Sequence, residues 1–118
     1  MQPTESRYYI LVGDSETWEV ALKHNIWGFS ETSRGYWNRS RKGDYLAFYV
    51  TAPVKKVIGF GKITRKFVSD DLIFPDELLF GKVIWEYRFE FEKIHLVQDW
   101  EKGGIHVPSH IMLNVGRR

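Results

Sequence analysis

Residues 7–12 run Arg-Tyr-Tyr-Ile-Leu-Val and stop at Gly13, a short run of aromatic and β-branched side chains that predicts a first strand. The period of the pattern then changes. Trp18, Ala21 and Leu22 recur at i, i+3 and i+4, Asp14 or Ser15 can cap an N-terminus, and Glu16 and Glu19 suit the positive end of a helix dipole. A helix closing at His24 and Asn25 is therefore expected. Residues 26–29 (Ile-Trp-Gly-Phe) have room only for a strand fragment. After them a polar stretch with Gly35, Tyr36 and Trp37 predicts a helical turn, and Lys42-Gly43-Asp44 predicts a tight turn.

Residues 45–50 (Tyr-Leu-Ala-Phe-Tyr-Val) are apolar on both faces, as in a strand at the centre of a sheet, and Pro53 ends the run. Residues 56–67 form the next strand, with Gly59 and Gly61 two apart and so on one face. Their missing side chains permit a bend or the close approach of another group. Residues 69–82 contain Pro75 and Gly81 and predict a loop with at most a short helix. The longest strand is expected over residues 83–97, with Val83, Trp85, Tyr87, Phe89 and Phe91 on one face and Glu86, Arg88, Glu90 and Glu92 on the other. Ile94 and Leu96 then fall on the charged face. That change of phase predicts a bulge near Lys93 and the closure of a small barrel, one end of which residues 111–113 would cover.

At 118 residues the chain has the length of one domain with one core, so residues 1–118 are read as a single unit. There are no cysteines, which excludes disulfides, Cys-ligated metals and thiol nucleophiles. No long uninterrupted apolar run occurs, so neither a signal peptide nor a membrane span is expected and the protein is read as soluble; the absence of cysteine suits a reducing cytoplasm, and the oligomeric state is left open, with a monomer favoured. The net charge of +2 conceals an asymmetry. Between residues 34 and 66 stand nine cations (Arg34, Arg39, Arg41, Lys42, Lys55, Lys56, Lys62, Arg65, Lys66) against Asp44 alone, a local balance of +8, whereas each flank stands at −3. Concentrated positive charge attracts phosphate backbones and aromatic faces stack on bases, so this stretch is a candidate nucleic-acid surface. A solvated face with no ligand is the other reading of the same charges.

Catalytic signatures are missing: no phosphate loop, dinucleotide fingerprint, nucleophile elbow or zinc-protease motif occurs. The chain is read as a non-enzyme without cofactor. His106 and His110 are four apart, but Pro108 between them opposes a regular helix, and no metal site is expected. Asp70, Asp71, Asp76 and Glu77 read as solvated loop acids rather than catalytic pairs. Of nineteen aromatic residues most must be core, among them Trp18, Phe48, Phe89 and Phe91. Trp27 stands apart because it adjoins Gly28 in a short segment flanked by polar residues, where it could line a crevice.

The order Val12-Gly13-Asp14, Ile26-Trp27-Gly28-Phe29, Lys42-Gly43-Asp44 with Leu46-Ala47-Phe48-Tyr49, and Val57-Ile58-Gly59-Phe60-Gly61 resembles the EVE domain, within the PUA-like superfamily. The resemblance covers most of the chain and is nearest to the small stand-alone prokaryotic members. It implies an α+β fold, a small bent β-barrel of about five to six mixed strands flanked by two or three short helices. It also implies an RNA- or DNA-binding module that recognises a modified, for example methylated, base in an aromatic pocket. The resemblance carries Trp27, Gly28, Phe29, Gly13, Asp14, Tyr49 and Thr51 into that pocket; Ser30 and Trp85 complete the candidate set, and the charge pattern puts Arg34, Arg39, Arg41, Lys55 and Lys56 on the nucleic-acid backbone. Larger members have Trp-Asp-Gly followed by Arg-Asn where this chain has Trp27-Gly28-Phe29-Ser30. Two alternatives stay open: a small-molecule or nucleotide sensor or minor enzyme using the same pocket, and an interaction module whose basic face meets an acidic protein.

Overall fold

A computed structural model describes residues 7–107, together with the backbone of residues 116–117. In chain order the elements are β1 (Tyr8–Gly13), α1 (Ser15–His24), β2 (Ile26–Phe29), a 3-10 turn (Glu31–Ser33), α2 (Arg34–Arg39), β3 (Tyr45–Val50), β4 (Lys56–Val68), α3 (Pro75–Phe80), β5 (Tyr87–Leu96), α4 (Trp100–Gly103) and the two-residue β6 (Gly116–Arg117). The strands form one mixed sheet in the order β2-β5-β4-β3-β1-β6. β1 runs parallel to β3 and β6, and the remaining pairs are antiparallel. This is the expected α+β architecture of a bent, mixed sheet with short helices around it.

Among the described residues the ladder does not close by hydrogen bonds, because β2 and β6 end it. It curls instead. β1 and β2 are four strands apart in the ladder, yet a Cβ on Gly13 of β1 would lie 2.8 Å from Cη2 of Trp27 on β2. Irregularities in the ladder help to bend the sheet. Between β4 and β5, Phe60 faces His95 and Gly61 faces Lys93, which leaves Ile94 as an extra residue at the position where the alternation changed phase. Between β3 and β4 the register shifts after Phe48.

The local signals act as the sequence predicts. Asp14 caps α1 by accepting from the Thr17 backbone N–H at 2.8 Å, and Asn25 ends the helix in the left-handed conformation at φ 57°. Trp18, Ala21 and Leu22 turn inward from α1 and are buried. Trp18 stacks on Trp27 at 4.3 Å between ring centres and meets Phe48 at 4.9 Å, while its indole N–H donates to the Tyr49 carbonyl at 2.7 Å and ties α1 to β3. Phe48 packs in turn on Phe91 at 5.2 Å. Gly59 and Gly61 are the reason Phe48 fits. Cβ atoms there would lie 3.2 and 2.7 Å from its ring and 2.3 and 2.7 Å from the carbonyls of His95 and Glu92.

Three expectations need correction. The longest strand is β4, with 13 residues, not residues 83–97. β5 begins only at Tyr87, because the N–H groups of Ile84 and Trp85 go to a side-chain carboxylate instead of a neighbouring strand. Arg88, expected on a solvated face, is buried. Residues 111–113 lie outside the described residues, as does His110.

The packing at Gly59 generates a test. A Cβ there meets backbone atoms of β5, which cannot move aside as a side chain could. Gly59→Ala should cost about 2–4 kcal/mol. Gly35→Ala, in α2 with its nearest neighbour at 3.5 Å, should be neutral or slightly stabilising. Urea midpoints of the two variants decide the matter, and equal midpoints would refute this packing.

Candidate functional site

Glu77 is the third residue of α3, the helix that Pro75 opens, and its side chain is fully buried. Oε1 accepts from the backbone N–H groups of Ile73 and Phe74, both at 3.2 Å, and Oε2 from those of Ile84 and Trp85, both at 2.9 Å. Arg88 approaches Oε1 at 3.0 Å. The guanidinium also donates to the carbonyls of Trp85 at 2.8 Å and Asp71 at 2.6 Å and to Ser69 Oγ at 3.0 Å. One buried ion pair thus gathers the backbone of both ends of the segment between β4 and β5. Burial alone would push the Glu77 carboxyl up. The four backbone donors outweigh it and hold the group below its ordinary value of 4.5.

What this pair holds in place is Trp85. Its backbone is fixed by Glu77 and Arg88, and its indole N–H points at the Asp76 carboxylate, 2.9 and 2.8 Å from the two oxygens. Trp85 forms one wall of a cleft of about 320 Å³ lined by Val12, Gly13, Asp14, Thr17, Thr51 and Asp76. The parallel pair β1–β3 supplies further lining: Gly13 ends β1 in register with Val50, and Thr51, the residue after β3, donates its N–H to the Gly13 carbonyl at 2.9 Å. A shallower hollow of about 130 Å³ continues past Asp14, Thr17 and Asp76 to Glu16 and Pro75, between the first turns of α1 and α3.

Of the nine residues expected in the pocket, Gly13, Asp14, Thr51 and Trp85 line the cleft. Trp27 does not, being wholly buried, with its ring edge beneath Gly13. Gly28 lies behind Trp85, where a Cβ would come 2.7 Å from the tryptophan's own Cβ. Phe29 is core, in edge contact with Phe89 at 5.7 Å. Ser30 is half-buried at the start of the 3-10 turn, and Tyr49 is half-buried with its carbonyl engaged by Trp18. Trp27 and Gly28 therefore shape the floor and wall without lining them.

Sequence reasoning missed Val12, Thr17 and above all Asp76 and Glu77, which it placed with Asp70 and Asp71 as solvated loop acids. Asp70 and Asp71 are exposed as expected, but Asp76 is half-buried and Glu77 buried. A signal for Glu77 was present: proline at the first helical position with glutamate two residues on is half of a capping box, in which the carboxylate reaches back to the N-terminal N–H groups. Arg88 carried no comparable mark among the alternating charges of its strand.

The five expected backbone-binding cations separate into groups. Arg34 sits over the Tyr87 ring at 4.8 Å and pairs with Glu31 at 3.5 Å, and Arg39 sits over Tyr36 at 5.0 Å. Lys66 joins them, 4.3 Å from the Trp37 ring centre. Its ammonium is depressed, chiefly by burial and in part restored by Asp44. Tyr87, whose hydroxyl donates to Glu31, is raised. Arg41 is exposed in the turn before β3. Lys55 and Lys56 lie at the far end of that strand, beside Val50 and Thr51, with Lys56 donating to the Glu101 carbonyl. Among the described residues no group of acidic residues or histidines is arranged to hold a metal ion, and no helix is long and apolar enough to cross a membrane.

No family model matches the chain. It is 28% identical over 98 residues to UPF0310 protein PH1033 of Pyrococcus horikoshii, covering 75% of this chain and 67% of that protein. Among solved structures it is similar to the YTH domain-containing protein mmi1 in complex with RNA, at a TM-score of 0.59 and 15% identity over 91% of this chain and 62% of that one. It is also similar to the YTH domain of Zygosaccharomyces rouxii MRB1 protein in complex with N6-methyladenosine RNA, at 0.58 and 18% over 93% and 72%. The Pho92 YTH domain in complex with m6A matches at 0.58 and 15% over 80% and 59%. The chain thus spans less than two thirds of the mmi1 and Pho92 chains. At these identities the likeness establishes the fold.

The Glu77 site yields a pH test. Because its folded pKa is depressed, the ionised carboxylate adds stability that is complete above about pH 5 and fades as acid takes the pH down through the folded pKa. Glu77→Gln, which leaves Arg88 buried without its countercharge, should lose about 3–5 kcal/mol at pH 7. That deficit should shrink in urea unfolding measured below about pH 4. A deficit that stays constant with pH would show that the charge of Glu77 contributes nothing.

Proposed function

We propose that this chain is a nucleic-acid-binding module that accepts an unpaired, modified base in the cleft between Trp85 and Gly13. The observation that carries the reading is the cleft itself: a concave site lined by a tryptophan whose backbone and indole N–H are both held, by a glycine, and by hydroxyl and carboxylate groups. Its volume of about 320 Å³ lies at the low end of ligand sites, right for a single base and small for a larger cofactor. The architecture supports the reading, since the YTH domains that share it were solved with RNA and with N6-methyladenosine. The EVE-like order of motifs fits the same superfamily.

The division of labour is physical. Arg34 and Arg39, exposed and stacked on tyrosine rings, supply salt-sensitive attraction to phosphates that carries no sequence information. The cleft supplies selectivity, because methylation changes shape and donor pattern where a close-fitting site detects it. Single-stranded RNA presents its bases already unstacked, whereas a DNA duplex must first flip one out at a cost of a few kcal/mol, so RNA is the favoured partner. Recognition alone accounts for every group in the site, and no step of chemistry is assigned to it. The chain works as one domain, in the cytoplasm and as a monomer.

Anisotropy titrations with paired oligonucleotides, modified and plain, at two salt concentrations test this. Trp85→Ala should bring the preference for the modified strand to within about twofold, since stacking contributes about 1–3 kcal/mol per base. Arg34→Ala with Arg39→Ala should weaken all strands evenly and flatten the log–log salt dependence by about 1.4 units. If both changes act alike, the division of labour is wrong.

A further inference from the structure

Of the nine cations between residues 34 and 66, six have partners: Arg34, Arg39, Lys62, Arg65 and Lys66 lie over aromatic rings, and Lys56 donates to the Glu101 carbonyl. The side chains of Arg41, Lys42 and Lys55 have none among the described residues, and all three residues are exposed. Their places differ. Arg41 and Lys42 precede β3 and Lys55 follows it, so the length of that strand, roughly 20 Å by strand rise, lies between them. Lys55 is at the cleft end. Its N–H and that of Val54 both reach the Thr51 carbonyl, at 3.4 and 3.2 Å, while the Thr51 N–H donates to the Gly13 carbonyl at 2.9 Å. Thr51 and Gly13 both line the cleft, so the turn that carries Lys55 is built on its lining.

The backbone of Lys55 is a second mark. Its φ is 53°, in the left-handed region, where a Cβ crowds the following carbonyl and glycine or asparagine is the usual occupant. The other non-glycine residue with positive φ among the described residues is Asn25, which ends α1. Lysine has no short polar side chain to offset the crowding with a local hydrogen bond, and strained conformations of this kind cluster at binding and catalytic sites. A base in the cleft leaves its sugar and the adjoining phosphates at the mouth. There a flexible four-carbon stem lets an ammonium meet a phosphate without lining the cleft itself. We propose that Lys55 binds the phosphate adjoining the base held in the cleft and so sets the register in which a strand is read. The proposal rests on the base-accepting reading above. Arg34 and Arg39 attract a strand wherever its phosphates lie, whereas Lys55 addresses one linkage.

The test uses single-stranded RNA with one N6-methyladenine or 5-methylcytosine, whichever the wild-type protein prefers over the plain base. A methylphosphonate, which replaces a charged phosphate oxygen by a methyl group, is placed on the 5′ side of that base, on its 3′ side, or at a distant linkage, with 2′-O-methyl sugars at all three. At one flanking linkage, neutralisation should weaken wild-type binding about fivefold and Lys55→Gly binding by less than about twofold. At the distant linkage it should weaken both proteins equally. Lys55→Arg should keep the wild-type response. Glycine adopts the left-handed conformation without crowding, so the thermal midpoint of Lys55→Gly should not fall below the wild-type value. A clear fall would make Lys55 a structural residue of the turn and overturn the inference. If neutralising each flanking linkage weakens wild type and Lys55→Gly equally, Lys55 is not the partner. The inference then falls, and the base-reading proposal, judged by the wild-type preference for the modified strand, stands. If the wild-type protein does not distinguish modified from plain RNA, or binds neither, the base-reading proposal falls and takes the inference with it.

Discussion

The cleft depends on the buried pair of Glu77 and Arg88. Between β4 and β5 lies a segment of which only α3 is regular, and such a segment would ordinarily be the most mobile part of a small domain. Here its backbone is gathered on one carboxylate, which takes four N–H groups, and on one guanidinium, which takes two carbonyls and a hydroxyl. A buried ion pair is often no gain in stability over an apolar pair of the same shape, because desolvation offsets attraction. Its use here is geometric: it fixes the main chain of Trp85, and the neighbouring Asp76 fixes the ring.

The glycine part of the cleft depends on packing of another kind. Gly13 must lack a side chain because the edge of Trp27 lies beneath it, and Gly28 must lack one because Trp85 crosses there. Trp27 is itself held by Trp18, which is tied to the Tyr49 carbonyl. The curl of the sheet, set by the extra residue at Ile94 and by the glycines under Phe48, brings β1 and β2 close enough for these contacts. Sheet curvature, two glycines and one ion pair thus converge on a single concavity lined by a tryptophan held at its backbone and its indole N–H.

Much of the fold could be read from the chain because its signals are local. The capped and amphipathic α1, the strand fragment around Trp27, the turn at Gly43 and the change of phase near Lys93 all follow from spacing over a few residues. The site was only half legible. Gly13, Asp14, Thr51 and Trp85 line it, but Trp27, placed there because it stands among polar neighbours, is buried by Trp18 from a different element. Asp76, Glu77 and Arg88 were misread because their partners are distant: Arg88 reaches Glu77 across eleven residues and Ser69 across nineteen. Charge pattern along a chain reports solvent exposure only where no such partner exists. Trp85 was placed inside a strand because alternation continues through it, whereas Glu77 captures its N–H and takes it out of the ladder.

The most direct test is to follow the indole N–H signals of the five tryptophans by ¹⁵N NMR while a modified single-stranded RNA is added. Trp85 should show the largest shift, with Trp18 and Trp27, sealed behind the cleft, changing little. If Trp85 stays still while the RNA binds, the cleft is not where the base goes, and the central claim fails.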